Sequence, residues 1–149
     1  MKTLKTTILT LTCILCSSFF AFADQKVPIT YVQLPPVAQA FIETTFRGNK
    51  FDYGRQEKSG ISSTFEVFLA DGTKIEFDKK GKWEEVDCLK KAVPAALIPK
   101  PIAEYVRTNH DGQIIVKIEK TDRNGYEIKL SDDVEIDFSQ KIKVLEVEK

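Results

Sequence analysis

The chain has 149 residues, with 22 basic and 22 acidic side chains, so its formal net charge is zero. That balance excludes the basic excess of a nucleic-acid-binding protein. One histidine and three cysteines leave no basis for a histidine-based metal cluster.

Residues 1–23 read as a secretory signal peptide. Lys2 and Lys5 form a basic start, Ile8 to Phe22 is an apolar run, and Ala21-Phe22-Ala23 is a small-x-small cleavage site before Asp24. A spanning helix needs roughly 20 apolar residues, so the run is short for a membrane anchor. Leu15 before Cys16 and Thr12 before Cys13 do not suit a lipoprotein site. The expectation is a periplasmic or secreted protein, cleaved after Ala23, with no stable membrane insertion. Cleavage would remove Cys13 and Cys16, leaving Cys88 alone and no internal disulfide. Cys88 is then a reactive thiol, an intermolecular bridge or a buried small hydrophobe, and the last is expected.

Residues 24–33 read as an extended lead-in. Leu34-Pro35-Pro36 opens a helix, since proline is tolerated in a first turn. Val37, Ala40, Phe41 and Thr44 lie at helical spacing and predict a narrow apolar stripe. Arg47-Gly48-Asn49 ends it, with Gly48 suited to a left-handed cap. Phe51 to Lys58 is a strand, and Ser59-Gly60-Ile61-Ser62 turns into the next. Phe65, Val67 and Leu69, then Ile75 and Phe77, alternate with mostly charged residues around Asp71-Gly72. That period of two predicts one buried and one open face. Lys79-Lys80-Gly81 is a turn, Lys82 to Asp87 a strand, and Cys88 to Pro94 a connector with one helical turn.

The pattern then restarts. Ile98-Pro99-Lys100-Pro101 matches Leu34-Pro35-Pro36-Val37, and Gly112 matches Gly48, at an offset of 64. Ile114 to Thr121 is a strand with Ile114, Val116 and Ile118 on one face. Asn124-Gly125 is a hairpin turn. Residues 126–139 repeat 65–78 with five of fourteen positions identical, at an offset of 61. The expected fold is α+β: two tandem helix-plus-four-strand repeats, residues 34–92 and 93–149, with an antiparallel sheet and helices packed on one face. One unit alone would be marginal, and two can share a core.

These residues resemble a known family. Phe65-Glu66-Val67, Asp71-Gly72, Ile75-Glu76-Phe77-Asp78, Gly81-Lys82-Trp83 and Val86-Asp87-Cys88 are similar to the PepSY-like periplasmic proteins of Bacteroidetes-type bacteria. So is Val93-Pro94-Ala95-Ala96-Leu97-Ile98-Pro99 with Ile102-Ala103-Glu104-Tyr105-Val106. The resemblance implies a β-lactamase-inhibitory-protein-like fold and a secreted binding or inhibitory module, with no catalytic residues to carry over. Asp133 stands where the first hairpin has Gly72, and Ile142 where it has Gly81, which leaves the second hairpin's turn type open.

No nucleophile elbow or phosphate loop occurs. His110 falls near a helix end, as a solvated terminal residue. Asp122 to Glu127 lacks the later ligands of a calcium loop, and Asp71, Asp132 and Asp133 suit turn chemistry. The polar hairpin face is the candidate protein-binding surface: Glu66, Phe68, Lys74, Glu76, Glu127, Lys129, Glu135 and Asp137, with Trp83 as a further anchor. The repeat alignment sets Trp83 against Val144, which favours a core role for it. The expectation is a non-enzymatic module with no cofactor that binds a cell-envelope protein, in one version inhibiting an envelope hydrolase. The alternative is a small-ligand or ion-sensing module using the acidic face.

Overall fold

The computed structural model describes residues 25–59 and 62–149. The expected signal peptide, and the Gly60-Ile61 centre of the expected turn, lie outside the described residues. Nine strands form one antiparallel sheet in chain order: β1 Gln25–Ile29, β2 Phe51–Ser59, β3 Ser62–Leu69, β4 Lys74–Phe77, β5 Trp83–Asp87, β6 Ile115–Lys120, β7 Tyr126–Leu130, β8 Glu135–Phe138 and β9 Val144–Glu148. Two helices, α1 Pro36–Thr45 and α2 Lys100–Asn109, precede β2 and β6. Each follows a single 3-10 turn, Tyr31–Gln33 and Ala95–Leu97. The connector after Cys88 runs as a turn, and its helical turn comes later, at Ala95–Leu97.

One hydrophobic core lies between the helices and the sheet. Val67, Ile75, Phe77, Val86, Ile118, Ile128 and Ile136 are each fully covered, and Ala38, Ile42, Ile102 and Val106 reach them from the helices. The alternating phase read in β3, β4, β7 and β8 is therefore the observed one. Cys88 is a buried free thiol. Burial pushes its pKa up, which makes it a poor thiolate.

The stripe read on α1 is corrected. Val37, Ala40 and Thr44 are exposed, and the buried line is Leu34, Ala38 and Ile42, with Phe41 half-buried beside it. Both lines have helical spacing, so periodicity could not choose between them. The β4–β5 turn chooses: a Cβ on Gly81 would stand 2.8 Å from Pro35 Cβ and 2.9 Å from Ala38 N. The helix start is seated against a bare backbone, and that contact fixes which face turns inward.

Four bulges also shift the pleat. The pairing registers leave Asp52, Glu84, Val116 and Leu145 unopposed. A bulge adds one residue and reverses the facing of those beyond it. Ile115 therefore pairs with Leu130 and is buried together with Val116, while Ile114, expected inside, is 41% exposed.

A candidate binding face on the open side of the sheet

The core-facing residues leave the other sheet face uncovered by either helix. Two cross-strand rows run side by side across it. The first follows the register Arg55, Glu66, Glu76, Glu85, Glu119, Glu127, Asp137, Glu146. The second follows Tyr53, Phe68, Lys74, Asp87, Lys117, Lys129, Glu135, Glu148. Like charges directly opposite one another destabilise a sheet, and seven successive carboxylates need compensation. The lysines of the second row supply it diagonally.

The centre of the face is this compensation. Lys74 Nζ lies 2.6 Å from Glu85 Oε1 and 3.0 Å from Glu76 Oε1. Lys117 Nζ lies 3.1 Å from Glu85 Oε2, 2.9 Å from Glu119 Oε2 and 3.7 Å from Glu127 Oε1. Burial disfavours the Glu85 carboxylate, yet the two ammonium groups overrule it and hold its pKa below the ordinary value. Burial likewise works against both lysines, and their carboxylate partners raise them well above the usual lysine range.

The two ends differ. At the β2–β3 end, the Tyr53 and Phe68 rings stack at 4.4 Å with Arg55 5.6 Å above Phe68. Arg55 Nε also donates to Glu66 Oε2 at 2.6 Å. At the β7–β9 end, Glu127, Glu135, Asp137, Glu146 and Glu148 line a groove of about 80 Å³ with no basic residue among its walls. Burial, and behind it the charges of Glu119, Asp137 and Glu135, raise the Glu127 pKa despite Lys117.

Eight of the nine expected site residues, Glu66, Phe68, Lys74, Glu76, Glu127, Lys129, Glu135 and Asp137, share this face. Trp83 does not. The Glu84 bulge places Trp83 opposite Phe77, on the helix side, where it stacks on Phe41 at 6.4 Å and lies under Lys120 Nζ at 3.6 Å. Sequence reading missed Tyr53, Arg55, Glu85, Lys117, Glu119, Glu146 and Glu148. The alternation around Ile118 marks Lys117 and Glu119 as outward, and that around Val86 marks Glu85 (a usable signal), whereas Tyr53 turns outward only because Asp52 is a bulge.

Asp71 and His110 have structural partners. Asp71 accepts from Thr73 N–H at 3.0 Å and pairs with Lys91 at 2.9 Å. His110 caps the C-terminus of α2, tilted against Tyr105. Among the described residues no group of three or more His, Cys, Asp or Glu is arranged to hold a metal ion. No helix among them is long and apolar enough to cross a membrane.

Comparison with known proteins gives a consistent family. Residues 63–146 match the family model described as "Putative beta-lactamase-inhibitor-like, PepSY-like". Among curated proteins none matches the chain. A Bacteroides vulgatus crystal structure, described as a "putative periplasmic protein" from the DUF2874 family, is 41% identical. The match covers 85% of this chain and 99% of that one, with a TM-score of 0.79. One from Bacteroides thetaiotaomicron, described as a "putative calcium-regulated periplasmic protein", is 39% identical over 83% of this chain and 97% of that one, with a TM-score of 0.78. A second Bacteroides vulgatus structure, described as a "putative periplasmic protein of unknown function", is 36% identical over 84% of this chain and 100% of that one, with a TM-score of 0.79. The chain, with its antiparallel sheet and two helices, belongs to the PepSY-like family.

Proposed function

We propose that this chain is an exported, non-enzymatic protein-binding module that engages a cell-envelope protein through the open face of its sheet, with inhibition of an envelope hydrolase as its sharpest form. The observation that carries the reading is the polarity of that face: a stacked Tyr53–Phe68 pair with Arg55 at one end and five carboxylates at the other. Interface energy concentrates in aromatic and arginine anchors surrounded by polar groups. Tyr53 and Arg55 supply the anchors, and the acid row favours a partner whose facing surface is basic. In this reading residues 34–92 and 93–149 are one unit written twice, after a cleaved leader ending at Ala23.

The test immobilises the exported protein, exposes it to envelope extract of the source cells, and compares wild type with Tyr53→Ala/Phe68→Ala. One stoichiometric partner, lost in the double variant and released early as salt rises, supports the reading, because exposed charges are screened. A partner retained equally by both proteins would move the contact off this face. Silence in a screen of envelope peptidases and β-lactamases would remove the inhibitor form.

A second reading, ion sensing, draws on the relative described as calcium-regulated and on the base-free acidic groove. Without converging ligands it predicts weak, charge-driven binding only. Calorimetry with calcium chloride that registers no heat would dispose of it.

A further inference from the structure

Two hairpins of the sheet pair alike. β4–β5 sets Lys74 opposite Asp87, Ile75 opposite Val86, Glu76 opposite Glu85 and Phe77 opposite Trp83. β8–β9 sets Glu135 opposite Glu148, Ile136 opposite Val147, Asp137 opposite Glu146 and Phe138 opposite Val144. Each pairing recurs 61 residues later, with its bulge at the same step.

The far sides of β5 and β9 differ. β6 covers β5 antiparallel, with Ile118 opposite Val86 and Lys117 opposite Asp87. Val86 is fully buried there. Lys117 also reaches Glu85 at 3.1 Å, and Lys74 closes on the same carboxylate at 2.6 Å. Among the described residues β9 pairs with β8 alone. Val147, the counterpart of Val86, is 49% exposed, and Leu145 is 61% exposed. Glu146, the counterpart of Glu85, has Glu135 at the position of Lys74. It opens into the groove whose walls carry five carboxylates and no base.

We propose that the β9 edge takes an extended segment of another protein as a tenth, antiparallel strand, one in which lysine or arginine alternates with aliphatic residues. The docking of β6 on β5 supplies the pattern. Aliphatic residues of the segment cover Val144 and Val147 on the helix side, as Ile118 covers Val86. Its cations stand over Glu146 and Glu148 on the open side, as Lys117 stands over Glu85. The backbone of an edge strand offers the main-chain bonds, and alternate side chains give the specificity. Cys88 N–H donates to Val116 O at 2.8 Å, so Val86, two residues earlier, turns its backbone toward β6 as well. Val147 at the matching position turns its N–H outward.

A second copy of the chain fits this edge less well. β9 paired with β9 about Val147 would set Glu146 against Glu148, and like charges directly opposite are destabilising. The other edge strand, β1, carries Pro28, which has no N–H to donate. The inference goes beyond the open-face reading: it adds a strand in the plane of the sheet and does not need the Tyr53–Phe68 pair.

The test titrates a heptapeptide of alternating lysine and valine, blocked at both ends, into the isotopically labelled exported protein. Amide signals and hydrogen exchange are followed. Saturable shifts across Val144 to Glu148, with slowed exchange at Val147, are expected. A peptide of the same composition with its lysines grouped at one end keeps the charge but not the alternation. It should bind roughly tenfold worse or more. Glu148→Lys, at an exposed edge position, should weaken binding about tenfold. Val147→Pro removes an outward donor and no bond to β8, so it should abolish the shifts while the Val86 and Ile118 signals stay in place. No saturable response at tens of millimolar, equal affinity for the grouped peptide, or unchanged affinity in both variants would overturn the proposal. A dimer that forms without peptide and is lost in Val147→Pro would overturn it in favour of a second copy.

Discussion

Gly81 and Ile142, 61 residues apart, take the same left-handed backbone, φ +81° and +54°, and Gly72 and Asp133 match at +88° and +67°. The second pair of turns thus keeps the geometry of the first without its glycines. The hydrogen bonds correspond too: Lys82 N–H donates to Asp78 Oδ1 at 2.9 Å, and Lys143 N–H to Ser139 Oγ at 3.0 Å. A non-glycine residue in this region costs about 1–2 kcal/mol. Asp133→Gly should therefore raise stability by about 1 kcal/mol, since the Asp133–Lys129 pair it removes is 3.2 Å long and exposed at the Asp133 end. Urea unfolding reads this as a higher midpoint at constant slope. Ile142 packs partly on the core, so Ile142→Gly should gain less.

Gly81→Ala should do the reverse. Its Cβ would meet the first turn of α1 at 2.8 and 2.9 Å, in a backbone conformation already strained for alanine. A loss of about 2 kcal/mol or more is expected. A neutral result in urea would mean that α1 shifts freely on the sheet.

Glu85 links stability to pH. Its carboxylate titrates below its ordinary value of 4.5 in the fold, so its contribution is full above that value. It is lost as pH falls through the lower folded value. The urea midpoint of the wild type should drop between about pH 5 and pH 3, and less so in Glu85→Gln. Glu127, whose pKa is raised, acts in the opposite sense and shares Lys117 with Glu85, so the comparison is made in a Glu127→Gln background. Identical pH profiles would show that the central lysines do not stabilise this carboxylate.

The single tryptophan offers an optical reporter. Lys120 Nζ stands 3.6 Å over the Trp83 ring. Burial, followed by the opposed effects of nearby acids and Lys82, sets its pKa below the ordinary 10.5. Tryptophan fluorescence should show a step on alkaline titration below that value, and Lys120→Met should erase it. A step that persists in the variant would belong to another group.

Phe77, fully buried between Phe41 and the sheet, sets the scale of the core. Phe77→Ala should cost about 3–5 kcal/mol in urea unfolding. A loss below about 1 kcal/mol would mean that the core collapses into the cavity.

Much of the sheet was legible because its signal is local. Alternation in Phe65 to Leu69 and Ile75 to Phe77 decided which face is buried, and the same phase in Tyr126 to Phe138 held. Tyr53 and Ile114 were not legible, and Trp83 was read both as a face anchor and, from its match to Val144, as core. Each lies just beyond, or at, a position where a bulge reverses the facing, and a bulge depends on the partner strand. The α1 stripe failed for a related reason: two lines of equal spacing competed, and only the contact with Gly81 separates them.

The sequence by itself determined the order of elements, the apolar phase of the central hairpins, the family resemblance and the burial expected of Cys88. These follow from periodicity, turn residues and composition, which act within a few residues. Tertiary structure alone decided that seven carboxylates align in one cross-strand row, and that lysines of the neighbouring row neutralise its centre but not its β9 end. Those outcomes depend on register across strands, where residues distant in the chain meet.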